Sequence, residues 1–478
     1  MKRAYLPPGF LTALPGQKRL RFIFYVSLVI ALTGLSEVRT PVWAQEAISQ
    51  EGPTPSSVDE IITPMSRSFE EKKPRVGLFP RLREELKDTT PFLRDTKLDL
   101  NVRTYYLWQE NTGVGNKEAW AIGGALSYRS GWFLDHFGAG AVLYTSQPLY
   151  APDSRDGTLL LAPGQEGYTV LGQVYGRVKL VEDNFINIYR YEYNTPYLNA
   201  SDNRMTPNTF EGYTFQGAVG GEDGEPRFKY GGGYIDKIKQ RNDSTFTSMS
   251  EAAGATVKRG VFPAGFNFSY GGFQIGAINY YSQDIINIGY GEGQYTWKLT
   301  DILGLLFAAQ FTDQRSVGCD LLTGSSFHGT QAGTMVNVSY RKAVLTLAYT
   351  NTSKGADIQS PWALPPGYTV SQVKFFNRAG EEAFMAKGSF DLSRLGLEGV
   401  TAYALWVHGW GAVNPVTGSS VFQQDEYNVD VQWRPKDLYL KGFWLRARYA
   451  RVESRDGTSA GFPINDVRFI INYDFSAF

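Results

Sequence analysis

The chain has 478 residues with 47 basic and 47 acidic side chains, so it carries no formal net charge and offers no basic footprint for nucleic acid. Its single cysteine, Cys319, excludes an internal disulfide framework, and three histidines, His136, His328 and His408, supply no ligand cluster for a metal. The 30 Phe, 29 Tyr and 10 Trp suit the aromatic girdles of a membrane barrel and also suit a soluble β-sandwich, so composition leaves both open.

The N-terminal segment gives an address. Lys2, Arg3, Lys18, Arg19 and Arg21 precede an apolar stretch from Phe22 to Leu35, and Val42-Trp43-Ala44 fits a cleavage site, so residues 1–44 are predicted to be a secretory signal peptide. The apolar stretch is shorter than the roughly 20 residues a spanning helix needs. Cleavage after Ala44 removes six basic residues and one acidic residue, leaving 41 against 46, a mildly acidic chain. Residues 45–95, with Pro53, Pro55, Pro64, Pro74 and Pro80 spaced through charged and Ser-rich sequence, are predicted to be a flexible extension with room for a short helix over Arg81–Lys87. The longest later apolar run, Ile302–Ala309, is too short to cross a bilayer as a helix. Any membrane entry is therefore by strands.

Strands begin near Lys97. Leu98, Leu100, Val102, Thr104, Tyr106 and Trp108 alternate with Asp99, Asn101, Arg103 and Tyr105, and side chains on a strand alternate between faces. Neighbouring strands agree across their turns. A turn at Gly271-Gly272 pairs Tyr270 with Phe273, Phe268 with Ile275 and Phe266 with Ala277, and a turn at Lys342-Ala343 pairs Tyr340 with Leu345 and Val338 with Leu347. Gly289, Gly291 and Gly293 read as relief of crowding within a strand rather than as a phosphate cradle. Short connections at Arg129-Ser130-Gly131 and Glu182-Asp183-Asn184 alternate with long ones at Glu192–Glu211, Thr312–Gly329 and Asn351–Glu382. In the last strand Val467, Phe469, Ile471, Tyr473 and Phe475 are apolar, while Asp466, Arg468, Asn472 and Asp474 are polar and Ile470 breaks the pattern. Residues 96–478 are thus predicted to be all-β: a transmembrane antiparallel β-barrel of about 18 strands.

Pro91-Phe92-Leu93-Arg94-Asp95 leading to Leu100-Asn101-Val102-Arg103-Thr104-Tyr105-Tyr106, the Ser130-Gly131 turn, Pro196-Tyr197-Leu198 with Ser201 through Gly212, and the closing Asn465-Asp466-Val467-Arg468 resemble the OprD family of outer-membrane porins. The resemblance covers about residues 91–478, and its most specific piece is Ser201–Gly212. It implies an eighteen-stranded barrel whose third loop folds inward as a constriction, here Pro196–Gly212, and whose wall carries a ladder of basic side chains guiding carboxylate-bearing solutes.

Alternation independently puts Arg446 and Arg448 on the lumen side of the penultimate strand, Arg468 on that of the last and Arg103 on that of the first. Closure pairs first and last strands, so these four arginines fall on one stretch of wall. Arginine stays charged and presents a planar donor fork to carboxylate; the competing reading is that each merely pairs with acidic neighbours such as Asp99 and Asp466. Arg177 and Lys179, on the polar face beside Gln173, are further pore-lining candidates. In the constriction loop, Asp202 and Arg204 are placed to set a transverse field or to pin the loop, and Tyr197 to line the narrow point. A catalytic alternative built on Asp135-His136 fails because adjacent strand residues face opposite ways.

These readings describe a passive, substrate-selective outer-membrane channel for small water-soluble solutes, carboxylate-bearing or amino-acid-like, as a monomer or homotrimer in outer-membrane lipid, with no catalytic, cofactor or metal site. The alternative is a structural or adhesive barrel with an occluded lumen. N-terminal sequencing of the protein recovered from outer membranes is expected to begin at Gln45; a sequence beginning upstream of Phe22 would refute the cleaved signal.

Overall fold

The computed structural model describes residues 80–111, 115–221, 225–435, 440, 442–455 and 463–476. The signal peptide and residues 45–79 of the extension lie outside these. The end of the segment read as flexible is helical: α1 spans Pro80–Leu86 and α2 spans Pro91–Arg94, each opening on a proline, whose missing N–H costs nothing in a first helical turn. The α2 turn is tied to the barrel base, with the Gly131 N–H donating to the Phe92 carbonyl at 2.9 Å. A Cβ on Gly131 would meet the Pro91 carbonyl oxygen at 2.1 Å, so only glycine permits this approach.

Alternating sequence produces the wall. Its first strands are β1 Lys97–Asn111, β2 Lys117–Arg129, β3 Phe137–Tyr150, β4 Tyr168–Val181, β5 Asn184–Tyr191, β6 Thr209–Gly220 and β7 Arg227–Lys239. A two-residue β8, Thr247–Ser248, and a short helix α3, Met249–Ala252, lie in the next connection. The wall resumes with β9 Phe262–Tyr270, β10 Phe273–Ser282, β11 Ile286–Thr300, β12 Leu303–Arg315, β13 His328–Tyr340 and β14 Ala343–Thr352. It ends with β15 Glu382–Asp391, β16 Val400–Trp410, β17 Gln423–Trp433, β18 Phe443–Arg455 and β19 Ile464–Ser476. Setting β8 aside as an edge addition to β7, eighteen strands pair antiparallel with their neighbours, and β1 pairs with β19. Closure leaves no strand edge, the condition for a sheet to sit in hydrocarbon.

Outward faces carry Val102, Ile122, Leu126, Leu143, Leu171, Phe266, Phe307 and Val429, all exposed; this belt would be a liability in water and is the lipid surface of a barrel. In β19 the inward residues Asp466, Arg468 and Ile470 are buried while Ile471 and Tyr473 are exposed. Ile470, the break in the sequence pattern, packs in an interior cluster with Tyr105 and Leu107.

The Gly271-Gly272 hairpin has the expected register. The second hairpin turns instead on Arg341-Lys342, pairing Tyr340 with Ala343 and Val338 with Leu345. This is a two-residue turn with Arg341 at φ 55°, and such turns match strand twist; the shift of two residues preserves the apolar face. Gly289, Gly291 and Gly293 do not relieve crowding: a Cβ on any of them would meet nothing closer than 3.8 Å. Gly289 and Gly291 line an open groove of about 750 Å³ beside Phe266 and Phe311.

Short turns such as 182–183, 271–272, 301–302 and 341–342 occupy the rim where β1 begins and β19 ends, and the 192–208, 316–327 and 353–381 connections rise from the other. Much of the interior is filled by these loops: Tyr193, Tyr197 and Leu198 from one and Ile358 and Trp362 from another pack with Ile278, Tyr280 and Ile288 of the wall.

Ile471→Arg, placing a charge on the lipid face in the middle of β19, is expected to destabilise the barrel by about 2–4 kcal/mol. Urea unfolding in lipid vesicles, with Ile471→Val as reference, measures it; equal midpoints for the two variants would contradict the assigned face.

Candidate pore and its arginine cluster

The arginines of the seam stand at stepped heights. Register sets Arg448 of β18 directly opposite Arg468 of β19, itself level with Leu107 of β1. Arg446 is level with Ile470, and Arg103 with Asn472. Each two-residue step spans about 7 Å along a strand, so the four guanidinium groups descend the wall toward the short-turn rim.

Like charges at opposed cross-strand positions repel, and two aspartates offset this. Asp430, opposite Arg448 on β17, accepts from Arg446 Nε at 2.9 Å and lies 2.6 Å from Arg448 Nε. Arg448 also donates to the Tyr403 hydroxyl at 3.0 Å. Asp466 accepts from Arg468 Nε at 2.6 Å and from its terminal nitrogen at 3.1 Å. The Asp430 and Asp466 side chains are 3% and 0% exposed, so these pairs stand out of bulk water, where loss of one partner is costly. Asp99, the other acidic neighbour considered, is level with Ser476, below the arginines.

Arg103 faces a loop instead. It forks onto Asp202 at 2.6 and 3.1 Å and donates to the Arg204 carbonyl at 2.6 Å. Further along the same 192–208 connection, the Tyr197 hydroxyl lies 3.0 Å from Thr312 Oγ1 of β12, and the Tyr197 N–H donates to the Tyr280 hydroxyl of β10 at 3.2 Å. β1 and β10–β12 are on nearly opposite sides of the ring, so the segment reaches across the interior. Tyr197 does not line a narrow point. It is 1% exposed, edge-on to Tyr280 and Tyr290, and anchors the loop to the far wall.

Arg177 and Lys179 are not brought to the cluster. The Arg177 guanidinium lies 3.8 Å from the Phe185 ring centroid and 5.9 Å from that of Trp132, a cation–π arrangement. Lys179 follows two residues on, its N–H held by the His136 carbonyl at 2.7 Å. Asp135 and His136 sit in the 130–136 turn on the same rim, with His136 Nδ1 2.7 Å from the Lys179 carbonyl oxygen.

Two contributors escaped the sequence reading. The 353–381 connection folds in: Gln372 donates to Asp466 at 2.7 Å and its carbonyl accepts from Arg468 at 3.1 Å, while the N–H groups of Val373 and Lys374 bind Glu426 at 2.9 and 2.7 Å. Its apolar run of Trp362, Leu364, Tyr368 and Val370 was the available signal, since such a loop does not belong in water. Arg241, from the 240–246 stretch, has no local signal; its place is set by donating to Asn203 Oδ1 at 2.6 Å.

Arg103, Arg204, Arg241, Arg446, Arg448 and Arg468 line one cavity of about 360 Å³ with Asp202, Tyr105, Phe375 and Trp444. Burial and the nearby Arg468 push the Arg204 guanidinium down to about 9, and the same two causes push Arg241 down to about 10.

Asp430→Ala would strand Arg446 and Arg448 in a buried site and is expected to destabilise the barrel by about 3–5 kcal/mol, read as a lowered urea midpoint. A midpoint within experimental error of wild type would show that the pair is solvated.

A family model described as outer membrane porin, OprD family, matches residues 90–477. Comparison with curated proteins returned no match. Among solved structures, Pseudomonas aeruginosa OccK9 (OpdG) superposes with a TM-score of 0.71 at 22% identity, covering 81% of this chain and all of that one. Pseudomonas aeruginosa OpdK with vanillate gives 0.68 at 18% identity, covering 80% of this chain and 100% of OpdK. A BenF-like porin from Pseudomonas fluorescens Pf-5 gives 0.70 at 18%, again covering 80% and 100%. With eighteen closed strands and a family match over 90–477, the chain belongs to the OprD family of outer-membrane porins.

Proposed function

We propose that this porin admits small water-soluble solutes bearing a carboxylate, and that the 192–208 loop constricts the pore beside a basic ladder of Arg103, Arg446, Arg448 and Arg468. The observation that carries the reading is the convergence of these four side chains on one cavity inside the ring, three from the β18–β19 hairpin and Arg103 from β1, which closure brings beside it. Guanidinium forks spaced along a wall pass an anionic group between weak sites, which permits transit without trapping. Asp202, partly exposed beside Arg103, and Arg204, two residues on, carry opposite charges on the constricting loop. The similarity to an OpdK structure with vanillate, an aromatic carboxylate, supports the solute class.

Planar-bilayer recording is the test, using Arg446→Gln/Arg448→Gln with Asp430→Asn added so that no buried carboxylate is left unpaired. Carboxylate flux is expected to fall about tenfold, the scale of one lost charge-assisted hydrogen bond, while flux of a neutral sugar changes little. Equal losses for both solutes would overturn the ladder. Absence of conductance from folded wild-type protein would favour the occluded barrel.

A further inference from the structure

The cavity holds more positive charge than its own carboxylates offset. Six arginines line it against Asp202, with Asp430 and Asp466 behind the wall arginines. Counting also Asp474, which accepts from Asn101 at 2.7 Å one step below Arg103, the arginines remain two charges in excess. That excess is localised. Among the described residues no carboxylate is at ion-pair distance from Arg204 or Arg241. Arg204 donates to the carbonyls of Thr158 and Asn203, both at 2.8 Å, and Arg241 to the side chain of Asn203. One neutral residue thus positions both guanidinium groups without neutralising either. Their lowered affinity for the proton has the same origin, burial beside Arg468. Phe375, Trp444 and Ile470 supply apolar surface to the same space.

We propose that Arg204 and Arg241 form a second anion station alongside the wall ladder, and that the solute this pore prefers is a dicarboxylate with an apolar body. The inference rests on the carboxylate-channel reading above and sharpens it. A monocarboxylate would leave one of the two excess charges desolvated and uncompensated, which is unfavourable, whereas a dicarboxylate offsets both.

The test is block of ion current through the full mature protein in planar bilayers by benzoate, isophthalate and the neutral benzamide. In wild type, isophthalate is expected to reach half-block at about tenfold lower concentration than benzoate, the size of one added charge-assisted contact. In Arg204→Gln/Arg241→Gln that ratio is expected to fall toward one. Equal half-block concentrations in wild type, or an unchanged ratio in the double variant, would overturn the dicarboxylate inference. If the double variant does not fold, Arg241→Gln alone decides: a reduced ratio supports the station and an unchanged one overturns it. Benzoate that blocks no better than benzamide would instead defeat the underlying carboxylate reading.

Discussion

The pairing of β1 with β19 is the interaction on which the rest depends. In hydrocarbon every backbone N–H and C=O needs a partner within the protein, and an open sheet of eighteen strands would present two unpaired edges. The register from Asp99 opposite Ser476 to Asn111 opposite Ile464 removes them. The same pairing carries the first strand's inward face beside that of the last two, so Arg103 and Arg468 line one stretch of wall, two steps apart, because the wall is closed.

Within the ring the dominant constraint is charge in a confined, partly dry space. Arg448 opposite Arg468 is tolerable because Asp430 and Asp466 stand beside them at hydrogen-bond distance. Each wall arginine is ion-paired and also lines the cavity. Loop contacts complete the arrangement. Ser201 Oγ accepts from the Leu364 N–H at 3.1 Å and the Leu364 carbonyl accepts from Asn199 at 3.3 Å, so the two inward connections brace each other.

Period-two alternation was legible because burial on one face and lipid on the other impose it on every residue, and it located the inward arginines of β1, β18 and β19 without any contact information. It read turns less well. At Arg341 the choice of turn depended on a left-handed residue that no glycine announced. Alternation says which way a side chain points but not at what height or around which part of the ring, so Arg177, inward like the others, ended against Trp132 and Phe185. Loop residues carry no period. Tyr197 went to the wall, and Arg241 and Gln372 entered the site through contacts with sequence-distant partners.

The separation along the chain has a kinetic consequence. Arg103 and its partner Asn472 are 369 residues apart, and pairings of such length are slow because a large loop entropy is lost before any contact offsets it. Until that step the cluster is incomplete, with Arg103 on a strand not yet joined to the β18–β19 hairpin that carries the other three. A barrel stalled before closure would hold most of its hairpins but neither a sealed wall nor the assembled arginine cavity, so both are acquired in the one event that completes assembly.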